Sequence, residues 1–249
     1  MKGMGLIMKE KLNILGIEYD NVFQNEALDI VISFLDSDNC KTVVTPNSEI
    51  AQLCIENKEV KTAINSADLI IADGIGVIYA SKILKKPLKQ KVAGIDIAYL
   101  LLPILEKEQK SLFLLGGNEG IAELAKKNIK EKYPNINICG TQNGYFENEK
   151  EVIDKINAIS PDVIFVCLGF PKQEIFMSKY KNIINAKVML GLGGTLDIIA
   201  GNKKRAPEFF INLKLEWLYR LIKEPKRIVR MLKLPKYLFF AIKIRFRNE

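Results

Sequence analysis

Asp73 is the leading candidate in this sequence for acid–base chemistry. The apolar run Leu69–Ala72 before it predicts a buried parallel strand, and Gly74 and Gly76 permit a tight turn into a helix over 74–84. Ligands of open parallel α/β sheets bind beyond the carboxyl ends of the strands, where Asp73 would lie. An aspartate at this point can also cap the helix, so both roles stay open.

Histidine is absent from all 249 residues. This excludes Ser-His-Asp and Cys-His catalysis as well as imidazole metal ligands. A general base must therefore be a carboxylate, Lys, Tyr or Cys. The four cysteines are widely spaced and form no C-x-x-C motif, which is typical of reduced thiols in a cytosolic protein.

Two glycine-rich turns follow predicted strands and are suited to binding phosphate. One follows strand 111–115 and the other strand 187–192, and the free N–H groups of such turns favour an anion. The dinucleotide fingerprint also expects an acid at the end of the next strand, and 136–140 has none there, so a nucleotide fits better than NAD. The candidate binding residues of the two turns are Gly116, Gly117, Asn118, Gly194, Thr195 and Asp197.

Polar residues at other strand ends extend this candidate site. We predict Thr45 as the N-cap of a helix with Pro46 at its first position, and Asn47 in the first turn pointing toward the crevice of Asp73. Asp96 precedes a predicted helix and is either its cap or a ligand contact. Gln173 begins the helix after strand 162–169, where a Lys-Gln-Glu run cannot consist of caps alone.

Strands and helices alternate up to residue 202. This alternation predicts an α/β fold, a Rossmann-like, mostly parallel sheet with helices on both faces. We call residues 1–202 the α/β body and residues 203–249 the appendage, and we predict that they form two domains. The appendage should contain a helix over 208–222, with Pro225 and Pro235 breaking the remainder into short helices.

The appendage is basic, with 14 Lys+Arg against 4 Asp+Glu, whereas the α/β body has 23 against 25. Its cations alternate with Leu, Ile and Phe, a pattern typical of amphipathic helices on an anionic membrane surface. A helix packed on the core with a solvated basic face is the alternative. Nucleic-acid binding is disfavoured, because a phosphate-reading patch does not need so many bulky apolar residues.

Lys9, Glu10 and Lys11 interrupt any apolar run over residues 1–15, so we expect no signal peptide there. No apolar run approaches the ~18 residues that a spanning helix requires. We therefore expect a cytoplasmic protein that is peripheral on the inner face of the cell membrane. An exposed apolar appendage would also favour homo-oligomers away from the membrane.

The motifs in this order resemble the WecG/TagA/CpsF glycosyltransferases, which include the N-acetylmannosaminyltransferases of wall teichoic acid synthesis. The resemblance covers almost the whole chain. Its motifs are Thr-Pro-Asn at 45–47, Ala-Asp-Gly-Ile-Gly at 72–76, Val-Ala-Gly-Ile-Asp at 92–96, Leu-Leu-Gly-Gly at 114–117, Leu-Gly-Phe-Pro-Lys-Gln-Glu at 168–174, Gly-Leu-Gly-Gly-Thr-Leu-Asp at 191–197, Arg-Ala-Pro at 205–207 and Leu-Glu-Trp-Leu-Tyr-Arg-Leu at 215–221.

The resemblance implies an inverting transferase that needs no metal or other cofactor. It would move N-acetylmannosamine from a UDP donor to undecaprenyl-diphosphate-linked N-acetylglucosamine through a β-1,4 linkage. It implies Asp73 as the base, a pocket lined by Thr45, Asn47 and Gln173, and completion of that pocket by the appendage residues Arg220, Arg227 and Arg230. Lys214 departs from the pattern, since a small residue is expected there.

Other functions stay open from the residues alone. The same family with another UDP-hexose donor is one, and a nucleotide-dependent oxidoreductase using the first glycine turn is another. A membrane-surface or nucleic-acid-binding module built on the appendage is a non-enzymatic alternative, but it leaves the strand-end cluster of Asp73, Gln173 and Thr195 without a role.

Overall fold

A computed structural model describes residues 10–228 and 232–247. The alternating pattern over 12–17 predicts either a short edge strand or a hairpin. The structure has a hairpin, in which β1 (Lys11–Ile14) pairs with β2 (Ile17–Asp20) before the main sheet. The main sheet has six parallel strands in the order β4-β3-β8-β7-β5-β6. These are β3 (Lys41–Val44), β4 (Leu69–Ile70), β5 (Ser111–Gly116), β6 (Asn137–Gln142), β7 (Val163–Cys167) and β8 (Val188–Gly191).

Helices cover both faces of this sheet, because nearly every residue of its central strands is buried. The helices of the α/β body are α1 (Gln24–Phe34), α2 (Ser48–Glu56), α3 (Lys58–Asn65), α4 (Ile75–Ile83), α5 (Gly94–Lys107), α6 (Ile121–Lys132), α7 (Glu149–Ile159), α8 (Lys172–Tyr180) and α9 (Thr195–Ile199). One hydrophobic core lies under α1, α5, α6 and α9, and the second lies under α2, α3, α4, α7 and α8. The predicted α/β, Rossmann-like class is confirmed.

The appendage departs from the predicted helix pattern. The helix expected over 208–222 is divided into α10 (Glu208–Asn212) and α11 (Glu216–Lys223) by a turn in which Lys214 has φ +62°. That left-handed conformation favours Gly or Asn, which explains why a small residue is expected at position 214. A short 3₁₀ helix (Pro225–Arg227) follows, and α12 runs over Lys233–Arg247. Pro235 does not break α12, since it lies in the first turn, where proline is tolerated.

Helix α12 packs against α2 and α4. Its residues Tyr237 and Ala241 are fully buried and belong to the second core, whereas Phe239 and Phe246 on its other side are 64% and 72% exposed. The helix thus has an inward face that joins the body and an outward face that is apolar. The division into two domains at residue 202 stays a prediction.

Candidate active site

Asp73 stands at the carboxyl end of β4, where the sequence places it. Helix α4 begins two residues later, and its N-cap is Gly74, with φ +100° and no side-chain cap bond. The glycine permits both this backbone angle and a close approach to the neighbouring strand end, because a Cβ at Gly74 would lie 3.3 Å from the Cβ of Asn47. The capping role for Asp73 is therefore wrong, and its carboxyl group faces a cleft.

Both parts of the chain build this cleft. The α/β body contributes the ends of β3 and β4 and the loop before α5, while the appendage contributes the turn before α11, α11 itself and the start of α12. The lining residues are Asn47, Ser48, Glu49, Asp73, Gly74, Ile75, Gly76, Lys91, Lys214, Glu216, Trp217, Arg220 and Leu234. The appendage thus forms one wall of the cleft that contains the candidate base.

Opposing charges act on the Asp73 carboxyl group. Burial has the largest effect and raises the pKa of this group. The Lys91 and Arg220 cations lower the pKa, as does a hydrogen bond from the N–H of Gly94. The Glu216 anion raises the pKa further. The pKa of Asp73 ends above its ordinary value. Lys91 and Glu216 also form an ion pair between the body and α11. A carboxylate made more basic by burial, with cations beside it, is suited to removing a proton near an anionic ligand.

Asn47 lies beside Asp73, but it also caps α2. Its side-chain Oδ1 accepts hydrogen bonds from the N–H groups of Glu49 (2.9 Å) and Ile50 (3.0 Å), and the helix begins at Ser48. The prediction that Thr45 is the N-cap and Pro46 the first helical residue is wrong, because the cap lies two residues later. The Thr45 hydroxyl instead donates to the carbonyl of Gly191 at 3.3 Å.

Thr45 connects the cleft with the second glycine turn. The N–H of Gly94 acts on Asp73. Gly94 also packs closely on Thr45, because a Cβ added at Gly94 would lie 3.0 Å from the Cγ2 of Thr45. On the other side of Thr45, β8 ends at Gly191, and Gln173 accepts a hydrogen bond from the N–H of Gly193 at 2.8 Å. The ends of β4, β3 and β8 and the start of α8 are therefore in contact along one edge of the sheet. Thr45 and Gln173 do not line the cleft, and their role in ligand binding stays a prediction.

The second glycine turn uses much of its polarity internally. The Thr195 hydroxyl is buried and donates to the carbonyl of Leu192 at 2.7 Å. The Asp197 carboxyl accepts from the Asn202 amide at 3.1 Å. Gly194 is the N-cap of α9. There is open space beside its Cα, since the nearest atom to a Cβ added at Gly194 would be 4.0 Å away. Ligand binding by Gly194, Thr195 and Asp197 stays a prediction.

The first glycine turn lies far from Asp73. Three strands separate β5 from β4 in the sheet, which places their ends about 19 Å apart. The Gly117 N–H donates to the carbonyl of Cys167 at 3.2 Å, so it is not available to an anion. A Cβ at Gly116 would lie 2.2 Å from that same carbonyl oxygen, so this glycine is required for packing. Asn118 lies in the bend that leads into α6, and ligand binding at this turn stays a prediction.

Asp96 does not cap its helix. Helix α5 begins at Gly94, three residues earlier than predicted, with Ala93 as N-cap, and Asp96 lies in its first turn. Its carboxyl group accepts from Arg205 of the appendage at 2.7 Å, and both side chains are about one quarter exposed. Asp96 thus joins the appendage to the body outside the cleft lining.

The structure brings one of the three expected arginines to the cleft. Arg220 lines it from α11 and acts electrostatically on Asp73. The backbone of Arg227 belongs to the 3₁₀ helix, but its side chain and the whole of Arg230 lie outside the described residues.

Sequence reasoning missed Lys91, Glu216 and Trp217 as cleft residues. Glu216 and Trp217 lie in the Leu-Glu-Trp motif at 215–217, which was a signal for a functional role, whereas Lys91 is one of several lysines in its loop. Its role follows only from the fold, because its partner Glu216 is 125 residues away.

Three further findings concern cysteine, metal and membrane chemistry. The four cysteines are free thiols. In the described part of the chain, no group of three or more Cys, Asp or Glu side chains lies close enough to hold a metal ion, and metal independence stays a prediction. Among the same residues, no helix combines the length and apolar character needed to cross a membrane.

Parallel α/β sheets bind their ligands beyond the carboxyl ends of the strands, and the carboxylate and cations of this cleft lie at that edge. Comparison with known proteins identifies the class. The model of the glycosyl transferase WecG/TagA/CpsF family matches residues 12–249. The chain belongs to this family and is a glycosyltransferase.

Several relatives have the same name, N-acetylglucosaminyldiphosphoundecaprenol N-acetyl-beta-D-mannosaminyltransferase. The Bacillus spizizenii protein is 40% identical over 211 residues, covering 85% of this chain and 82% of the relative. The protein of Staphylococcus aureus MRSA252 is 37% identical over 232 residues, covering 92% and 91%. The Bacillus subtilis 168 protein is 37% identical over 210 residues, covering 84% and 82%.

Proposed function

We propose that this chain transfers N-acetylmannosamine from UDP-N-acetylmannosamine to N-acetylglucosaminyl-diphosphoundecaprenol, with inversion and without a metal, in the synthesis of wall teichoic acid or a related surface polymer. The acceptor and the transferred sugar are those in the names of relatives that align with most of the chain. The observation that carries the proposal is the Asp73 carboxyl group, whose pKa is raised, in a cleft that also contains Lys91 and Arg220.

Asp73 acts as the general base. It takes the proton of the acceptor hydroxyl while that oxygen forms a bond to the anomeric carbon, and the bond from this carbon to the diphosphate breaks. Attack from the face opposite the leaving group inverts the anomeric centre. Since the chain contains no histidine, a carboxylate at a strand end is the base that the fold supplies.

Cations of the cleft stabilise the leaving UDP. Negative charge develops on the diphosphate as it departs, and fixed positive groups in a partly dehydrated site favour this charge. Lys91 supplies one positive group from the α/β body. Lys214 and Arg220 supply two further positive groups from the appendage. The second glycine turn lies along the same edge of the sheet and contributes to binding the UDP part of the donor. Gln173 joins this turn to the start of α8, and Thr45 joins the end of β3 to the end of β8.

The acceptor is a lipid, so the appendage places the cleft at an anionic membrane surface. The exposed apolar side chains of the appendage support this role: they include Phe209 (67%), Ile222 (61%), Phe239 (64%) and Phe246 (72%). Basic residues accompany them, and each Lys or Arg near such a surface contributes about 1 kcal/mol. The protein would thus act at the cytoplasmic face of the membrane.

A panel of donors tests the substrate. The full chain is given a polyprenyl-diphosphate-linked N-acetylglucosamine and one of several UDP-sugars, and the release of UDP is followed. We expect UDP-N-acetylmannosamine to react fastest. Faster release from UDP-N-acetylglucosamine or UDP-glucose would assign another donor, and binding of NADH in place of UDP would favour an oxidoreductase.

A further inference from the structure

Glu174 is a buried carboxyl group for which the transfer chemistry gives no role. It is the third residue of α8, and only 2% of it is exposed. Its Oε1 accepts a hydrogen bond from the Gln173 side-chain Nε2 at 3.0 Å. Its Oε2 is buried without a hydrogen-bond partner among the described residues. Burying a carboxyl group with an unsatisfied oxygen costs free energy, and an apolar residue at this position would avoid that cost. A functional role would account for the presence of the acid.

The neighbouring Gln173 bridges Glu174 and the second glycine turn. Its amide oxygen accepts from the Gly193 N–H at 2.8 Å, while its amide nitrogen donates to Glu174. Gly191 leaves the room for this amide, because a Cβ there would lie 2.7 Å from the Gln173 nitrogen. Only one orientation of the amide satisfies both contacts, since the reversed one would place an NH₂ group against the N–H of Gly193.

We infer that Glu174 is a positioning residue for the transfer reaction, which acts by fixing the orientation of the Gln173 amide and through it the Gly193 turn. The inference rests on the proposed function, in which this turn contributes to binding the UDP part of the donor. With an acceptor at position 174, the Gln173 oxygen faces Gly193 and the turn is held against the end of β8. Without it, the amide is free to reverse, and Gly193 loses its acceptor.

A double-mutant cycle on UDP affinity tests this coupling. Gln173→Leu, Glu174→Leu and the double variant are made in the full chain, and the Kd of UDP is measured by calorimetry. If Glu174 acts only through Gln173, each single variant raises the Kd about tenfold, and the double variant is no worse than either. If the two residues act independently, the losses multiply to about a hundredfold, and this result overturns the inference.

Two further variants separate positioning from folding. Glu174→Gln keeps an oxygen that can accept from Gln173, so its Kd for UDP should stay within about threefold of the wild-type value. Phe176→Leu changes a buried side chain on the same helix, and it should lower the melting temperature without changing the Kd. A folded Glu174→Leu variant with wild-type affinity would also overturn the inference. Absence of UDP binding by the wild type would instead remove the proposed function and the inference with it.

Discussion

Lys91 of the α/β body and Glu216 of α11 form an ion pair beside the carboxyl group of Asp73. Both side chains are mostly buried, with 22% and 15% exposed, so their charges act on Asp73 through protein more than through water. The anion and the cation shift the pKa of Asp73 in opposite directions. The docked position of the appendage therefore contributes to the basicity of the candidate base.

Replacement of Glu216 should extend activity to lower pH. Glu216→Gln removes an anion that raises the pKa of Asp73, so the carboxyl group would ionise at a lower pH and the acid limb of kcat/KM would shift downward. Lys91→Met removes a cation that lowers this pKa, so it should shift the same limb upward. Rate–pH profiles of both variants check the signs, and shifts in the same direction would contradict the assignment.

The stability of the protein should depend on pH through Glu174. Burial raises the pKa of this carboxyl group from its ordinary 4.5 to about 7. Between these values the folded protein holds a proton that the unfolded chain releases, so the free energy of unfolding falls as pH rises and levels off above about 7. Glu174→Gln has no such proton, so it should gain about 2 kcal/mol relative to wild type between pH 5 and 7.5.

Urea unfolding of wild type and Glu174→Gln at these two pH values measures the difference. The variant Glu59→Gln, on helix α3, is the matched control, and it should reproduce the wild-type pH dependence. If the gap between wild type and Glu174→Gln stays constant across the range, the carboxyl group does not titrate as described.

Helix α12 should stabilise the α/β body through Tyr237. This side chain is fully buried against α2 and α4, so Tyr237→Ala should lower the free energy of unfolding by about 3 kcal/mol. Its hydroxyl group has no hydrogen-bond partner among the described residues, so Tyr237→Phe should be neutral or slightly stabilising. A Tyr237→Ala variant with wild-type stability would show that α12 is not docked.

Because α12 packs on the α/β body, deletion of residues 203–249 should destabilise the body as well as abolish transfer.

The outward face of α12 should bind membranes without supporting the fold. Phe239 and Phe246 are exposed, so replacing both with Ala should leave the melting temperature unchanged and weaken binding to phosphatidylglycerol vesicles by roughly tenfold or more. Sedimentation with anionic vesicles, neutral vesicles and duplex DNA measures this. Unchanged vesicle binding, or preferential binding to DNA, would remove the membrane role from this face.

Local sequence patterns predicted much of the fold because they reflect burial. The apolar runs before Asp73 and Gly116 are buried strands. The alternating segment 12–17 predicts a short edge strand or hairpin, and an amphipathic pattern predicts a helix from about Asn25; β1 and α1 begin within one residue of these positions. The predicted cap of α2 was wrong, because Thr45 and Asn47 are both favoured N-cap types and only the backbone geometry selects Asn47. The break at Lys214 was missed as well, since a lysine gives no signal of a left-handed turn.

The candidate site was predicted in part, because its members come from distant segments. Asp73, Asn47, Thr45 and Gln173 follow strands, so their common edge follows from a parallel sheet. The order of the strands does not follow from local patterns, and it is this order that places Gly116 and Gly117 far from Asp73. The pairing of Lys91 with Glu216 depends on how the appendage docks, which no local pattern encodes.

The most direct test of the account is the transfer rate and UDP affinity of Asp73→Asn. The amide keeps the shape of the carboxyl group but cannot take a proton, so kcat should fall roughly 10²–10⁴-fold while the Kd of UDP stays near the wild-type value. Asp38→Asn, at an exposed loop, is the matched control and should keep full activity. An Asp73→Asn enzyme that transfers at the wild-type rate would show that Asp73 is not the base.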